Sequence, residues 1–167
     1  MQKWLTLFIV VSSLALTGCP KKQEVVDNGG AGAGSGGVSD TTMPTSGAKD
    51  SDSGNAMGLQ TIHFPYDSFD IVGENKDILK ANVKILKDNP TLNIQIEGHC
   101  DERGGSQYNL ALSEKRANAV KKAITAGGVG GSRITTLPMG KEHPLVQGSG
   151  EDAWAKNRRA NFVITSQ

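Results

Sequence analysis

A two-layer α/β sandwich, with helices packed on one face of a mixed sheet, is the fold this sequence predicts for its C-terminal two thirds. Three observations predict it. Leu92, Ile94 and Ile96 alternate with Asn93, Gln95 and Glu97, the period of a half-buried strand. Just before them, Leu79, Val83 and Leu86 fall at i, i+4 and i+7, which is one apolar face of a helix. Two further short apolar runs, at 134–139 and 160–165, are separated by helix signals, and the resulting order is β-α-β-α-β-(α)-β.

The first element of the folded part, 59–167, is Thr61-Ile62-His63-Phe64, an alternating strand that Pro65 stops. A helix over 74–88 follows, its apolar face widened by Ile78 and Ile85. It ends before Asn89-Pro90, because a proline ring crowds the helical conformation of the residue preceding it. The strand around Leu92–Ile96 sets its apolar side against that helix. Beyond a polar stretch, 98–112, Ser113 is placed to cap a second helix that carries Ala117, Val120 and Ile124 and closes at Gly127-Gly128. The glycine run from Gly127 to Gly131 predicts a loose connection. Ile134 to Met139 and Ala160 to Thr165 are the last strands, with a small helix around 151–157 between them.

Upstream the chain changes character. Met1-Gln2-Lys3 is a short positive start, and Trp4 to Leu16 is an apolar run too short for the roughly 20 helical residues that span a bilayer. Residues 1–18 are therefore expected to be an export signal. Leu16-Thr17-Gly18-Cys19 resembles the lipobox of bacterial lipoproteins, which implies cleavage before Cys19, acylation of its thiol, and anchoring by buried methylenes at about 0.8 kcal/mol each. Pro20, rather than an aspartate, after that cysteine implies the outer membrane, with the folded domain facing the periplasm. From residue 20 to 58 the composition is Gly, Ser, Thr, Asp and Ala, expected to be a flexible leash whose root-mean-square span is about 35 Å. Within it, Gly32-Ala33-Gly34-Ser35-Gly36-Gly37 fits a G-x-G-x-x-G pattern by letter only, since no strand precedes it and no helix follows.

Composition narrows the functions. The chain has 18 Lys and Arg against 17 Asp and Glu, so it lacks the basic excess of a nucleic-acid binder. Of its two cysteines one is expected to be acylated, which leaves Cys100 an unpaired thiol. His99-Cys100-Asp101 looks superficially like a thiol nucleophile with a base, but neighbours on an extended segment face opposite sides. Glu97, His99, Cys100 and Asp101 are potential metal ligands, yet their spacing matches no HExxH or paired CxxC pattern. The chain is thus expected to be no enzyme, and no metal or cofactor is expected. What remains is Asp101 just past a strand end and Arg116 in the first turn of the helix capped by Ser113. These are sites of opposite charge that complement a zwitterion.

Three blocks carry a resemblance. They are Phe64-Pro65-Tyr66-Asp67-Ser68-Phe69-Asp70-Ile71, then Ile96 to Gly104 with Tyr108 to Val120, then Gly140-Lys141-Glu142 with Asn157-Arg158-Arg159-Ala160. In this order they resemble the peptidoglycan-binding domain of the OmpA C-terminal family, most closely in its lipoprotein branch. The resemblance implies that Asp101 holds the ammonium and Arg116 the carboxylate at the side-chain end of diaminopimelate in a peptidoglycan stem peptide. It further implies contacts from Arg103 and Asp67, walls formed by Tyr66 and Leu112, and loop-holding roles for Asn109 and Arg159 through backbone hydrogen bonds. The lipoprotein branch implies a partner in the Tol system, TolB, and a role in envelope integrity and cell division. The alternative is a wall-binding lipoprotein without Tol partners. Cys100 stands where the family mostly carries Ala or Thr, which makes it a possible oxidation site. Pro65 replaces a common polar residue at the rim.

Overall fold

The computed structural model describes residues 49–167, so the expected signal peptide, Cys19 and the expected leash up to residue 48 lie outside the described residues. Seven elements follow in chain order: β1 (Ile62–His63), α1 (Asn75–Asp88), β2 (Asn93–His99), α2 (Ser106–Ala126), β3 (Ile134–Gly140), α3 (Glu151–Asn157) and β4 (Arg159–Ser166). The sheet order is β1-β4-β2-β3. β2 and β3 are parallel, with Ile94 opposite Ile134, as a pair joined by a crossover helix must be. β4 runs antiparallel to both β2 and β1. The sheet is therefore mixed, as expected. No helix among the described residues is long and apolar enough to cross a membrane.

The core lies between the sheet and α1 and α2. Ile94 and Ile96 of β2, Ile134 of β3 and Phe162 of β4 meet Leu86 of α1 and Ala117, Val120 and Ile124 of α2, all essentially without exposure. Each such side chain contributes about 1.5–3 kcal/mol by leaving water. The α1 terminus expected at Asn89-Pro90 is held by two devices. The Asn89 N–H donates to the Ile85 carbonyl, and the Arg133 guanidinium reaches the last carbonyls of the helix region, Leu86 at 3.0 Å and Asn89 at 2.7 Å. A cation at a helix C-terminus also complements the macrodipole.

Three expectations are corrected. The second helix starts at Ser106, not at Ser113, and its N-cap is Gly105 in an extended conformation. Ser113 lies mid-helix and fully buried; its hydroxyl donates to the Leu110 carbonyl and accepts from the Gly140 N–H at 3.0 Å. Arg116 is accordingly mid-helix rather than at a helix N-terminus. The glycine connection is not loose. Val129 is buried, a Cβ on Gly127 would stand 2.8 Å from the Val83 side chain, and Gly131–Arg133 forms a short 3-10 turn. Finally, the packed chain begins by Lys49, within what was expected to be leash. Ser51 N–H donates to the Phe162 carbonyl, Asp50 forms a bridge to Val163, Asp52 pairs with Arg159 at 2.6 Å, and Ala56 is in the core. Short polar side chains make most of these contacts, which is why composition alone does not separate 49–58 from a linker.

Candidate functional site

Where β2 ends, the chain turns sharply into α2, and the residues of that turn face the β1–α1 loop and the start of β4. The approach of α2 to β2 there depends on Gly98. A Cβ at this position would lie 1.9 Å from the Ser113 carbonyl oxygen, so only glycine lets the helix backbone sit against the strand. The result is a cleft of about 60 Å³ lined by Tyr66, Asp67, Cys100, Asp101, Arg103, Tyr108, Asn109, Leu112, Arg116 and Arg158, among others. The structure thus brings together all six residues read from the sequence as ligand contacts: Tyr66, Asp67, Asp101, Arg103, Leu112 and Arg116.

Asp101 is 5% exposed and is surrounded by cations. Its Oδ2 accepts from Arg103 Nη2 at 2.6 Å and from Arg158 Nη1 at 3.4 Å, while Oδ1 accepts from the Arg103 Nε and backbone N–H, both at 3.1 Å. Burial pushes its carboxyl up, but the hydrogen bonds and charge of Arg103, with Arg158 behind, hold it below the usual carboxylate range. Arg103 is itself clamped, its guanidinium 4.2 Å from the Tyr66 ring centroid and 4.0 Å from that of Trp154. Trp154 is fixed in turn by its indole N–H, which donates to Glu102 at 3.0 Å.

Arg116 is 1% exposed. Its Nε donates to the Ser68 carbonyl and its Nη1 to the His99 carbonyl, each at 2.9 Å; Nη1 also reaches Cys100 Sγ, and Nη2 donates to the Pro65 carbonyl at 3.2 Å. Among the described residues no carboxylate lies within ion-pair distance of it. Asp101 and Arg116 therefore share the cleft without forming a salt bridge to each other. Burial lowers the Arg116 pKa, but a guanidinium starts so high that it stays charged.

Beside it, Cys100 is 2% exposed and its Sγ bonds to the Asn109 carbonyl. Burial, only partly offset by Arg116, pushes its thiol up to about 11. It is a protonated thiol shielded from solvent at neutral pH, an environment that disfavours the oxidation expected as possible there. On the rim, Tyr108 donates to the Asp67 carboxylate, and Asp67 itself takes a positive φ of 50°. Asn109 donates to the Arg103 carbonyl at 2.7 Å and so fixes the turn. Arg159 lies away from the cleft and binds the Asp52 carboxylate rather than loop carbonyls. Sequence reasoning missed Arg158, Tyr108 and Trp154 as parts of the site. The first two stood in the quoted blocks, and nothing in the letters around Trp154 sets it over Arg103.

The OmpA family profile matches residues 63–158, more than half of the chain and all of this site. This chain belongs to the OmpA family. Within the family it is similar to the peptidoglycan-associated lipoprotein of Pasteurella multocida, 42% identical over 100 residues, a match covering 60% of this chain and 67% of that protein. It is 37% identical over 135 residues to the peptidoglycan-associated lipoprotein of Pseudomonas aeruginosa, covering 81% of this chain and 75% of the other. The crystal structure of the peptidoglycan-associated lipoprotein from Burkholderia pseudomallei superposes with a TM-score of 0.61 at 40% identity, covering 63% of this chain and 89% of that one. These relatives put the chain among the peptidoglycan-associated lipoproteins of the OmpA family, which are structural proteins rather than enzymes.

Proposed function

We propose that the cleft binds peptidoglycan stem peptides through the zwitterionic end of diaminopimelate, with Arg116 taking the carboxylate and Asp101 the ammonium. The observation that carries this reading is Arg116, a buried guanidinium that no carboxylate of the described residues neutralises. Its Nη2 has two hydrogens and one acceptor, the Pro65 carbonyl. A ligand carboxylate supplies both the missing charge and the missing acceptor. Asp101 is the complementary half, held ionised by its arginines. Tyr66, Asp67, Arg103 and Leu112 are proposed as the surrounding contacts, and Asn109 as the residue that fixes the turn. The names of the similar proteins support a wall ligand.

Around this site we propose a tether. An acyl group on Cys19 holds the chain in the outer membrane, the leash crosses the gap, and the domain grips the wall on the periplasmic side without covalent chemistry. In the same reading, TolB is a protein partner, and the chain serves envelope integrity and division as part of the Tol system.

Titration of the full chain in detergent with a diaminopimelate-containing stem peptide, and with its lysine-containing analogue, tests the cleft. Saturable binding that needs the extra carboxylate and is weakened at least about tenfold by Asp101→Asn is expected, since a charged hydrogen bond contributes about 1.5–3 kcal/mol. Equal binding of the two peptides, or none, refutes the assignment. Co-purification tests the Tol role: absence of a TolB complex at micromolar concentration leaves a wall-binding lipoprotein without that partner.

A further inference from the structure

The sheet has a second face. Because Ile94, Ile96, Ala160 and Phe162 point to the helices, their neighbours Glu97 and His99 on β2, and Arg159, Asn161 and Val163 on β4, point the other way. The segment around Asp50–Asp52 and the loop 142–147 frame this row, and between them lies a cavity of about 510 Å³ that shares no residue with the cleft.

Its charge is one-sided. Asp50, Asp52, Glu97 and Glu142 line it against a single guanidinium, Arg159, whose Nε is taken by Asp52. The nearby Lys141 ammonium is turned away to the Glu102 and Gly104 carbonyls. Burial raises the Glu97 carboxyl, but the His99 imidazole beside it at 3.8 Å, too far for a hydrogen bond, a hydrogen bond from Asn161 and the Arg159 charge bring it below its ordinary value, so it is charged. The acidic groups are too dispersed for an ion: no three His, Cys, Asp or Glu side chains among the described residues are placed to hold a metal. Met139, Leu145 and Val163 between them offer apolar surface to an aliphatic stem.

A second, independent observation points to a ligand with an acceptor as well as a positive charge. Arg159 is 4% exposed and its Nη1 has no hydrogen-bond partner; His99 is 2% exposed and neither ring nitrogen has one. Both residues line the cavity. Orphaned buried donors are costly unless something completes them. A peptide backbone carbonyl does so, and a free polyamine, which has no acceptor of this kind, does not.

We propose that this helix-free face binds a basic peptide segment of a protein partner, a lysine or arginine side chain lying among Asp50, Glu97 and Glu142 while a backbone carbonyl of the segment accepts from Arg159. The site is separate from the cleft, and the two are occupied independently.

The test uses the full chain in detergent, a fluorescent peptide of alternating lysine and alanine, its lysine-acetylated twin, and spermidine as competitor. Glu97→Gln with Glu142→Gln is the site variant and Asp101→Asn the cleft control; Glu142 is on the surface, so Glu142→Gln alone serves if the double variant melts early. Expected are saturable, salt-weakened binding of the lysine peptide, a loss of about tenfold or more in the site variant, and no change in Asp101→Asn. Equal binding of the acetylated twin, an unchanged affinity in the site variant, or a comparable loss in Asp101→Asn overturns the proposal. So does spermidine displacing the peptide at equal concentration, which reassigns the face to free polyamines. Because the stem-peptide titration reports only on the cleft, failure of either reading leaves the other standing.

Discussion

Truncating Arg116 to alanine tests how much the fold depends on a side chain that we also propose to hold the ligand carboxylate. The guanidinium serves the carbonyls of Ser68, His99 and Pro65, which belong to the β1–α1 loop and the end of β2. Its removal leaves those acceptors without donors, at about 1–3 kcal/mol for each that water cannot reach. The His99 carbonyl bond is fully buried, whereas those to Ser68 and Pro65 are only partly so, and water recovers some of their loss. Against this, a desolvated charge with no carboxylate partner is also removed, which returns part of the cost of burying it. The balance is a loss of about 2–4 kcal/mol, a large share of a typical domain stability of about 5–15 kcal/mol. Urea unfolding of the full chain, followed by circular dichroism, measures it: the midpoint falls and the slope is unchanged. Arg116→Lys keeps the charge but presents fewer donors, so it recovers part of the stability while the proposed stem-peptide binding, which in that reading needs the planar fork, stays impaired. A stability loss under about 1 kcal/mol for Arg116→Ala would refute the reasoning, because the three carbonyls would then be solvated without it.

Gly98→Ala drives a methyl group into the Ser113 backbone, and is expected to cost at least about 3 kcal/mol and to move α2 off the sheet, read as a lowered unfolding midpoint and lost ligand binding. Cys100, with a thiol near 11 and almost no exposure, resists alkylation at neutral pH in the folded protein and reacts only on unfolding; rapid labelling under native conditions contradicts the burial. Acid weakens the fold in two steps. Burial lowers the pKa of both His99 and His63, so the unfolded chain binds their protons first and stability falls as pH drops below about 6.5; His99→Gln makes that slope shallower in pH-dependent unfolding and leaves the His63 part. The lowered Asp101 carboxyl adds stability that is present above its unfolded value of about 3.9 and is lost as pH falls through its lower folded value, a component absent from Asp101→Asn.

The elements legible in the sequence are those whose buried side is apolar. α1, with Leu86 inward, and the strands β2 and β4, with Ile96 and Phe162 inward, follow their periodicity to within about two residues of their observed ends. The first two turns of α2 escaped because the side that they bury is mostly polar: Asn109 and Ser113, with Leu112 the one buried apolar residue, give no apolar stripe, while Tyr108 and Leu110 are exposed. The same substitution of polar for apolar contacts conceals 49–58. For the site, the resemblance carried by the quoted blocks was enough to gather the six proposed contacts, but not to pair them. Whether Asp101 meets Arg116 or Arg103 depends on the sharp turn after β2, where Arg103 folds back onto the carboxylate two residues earlier.

The attachment of residues 49–52 has a mechanical consequence. A pull on the chain from its N-terminal side reaches the described residues at Lys49, and among their bonds the first to feel it are the backbone pairs to Phe162 and Ile164 and the Asp52–Arg159 link. These grip β4, which lies between β1 and β2 rather than at the sheet edge. Traction is thereby passed to a strand that β2 pairs along most of its length, and the rate at which the domain yields to force is set by how those few links rupture together.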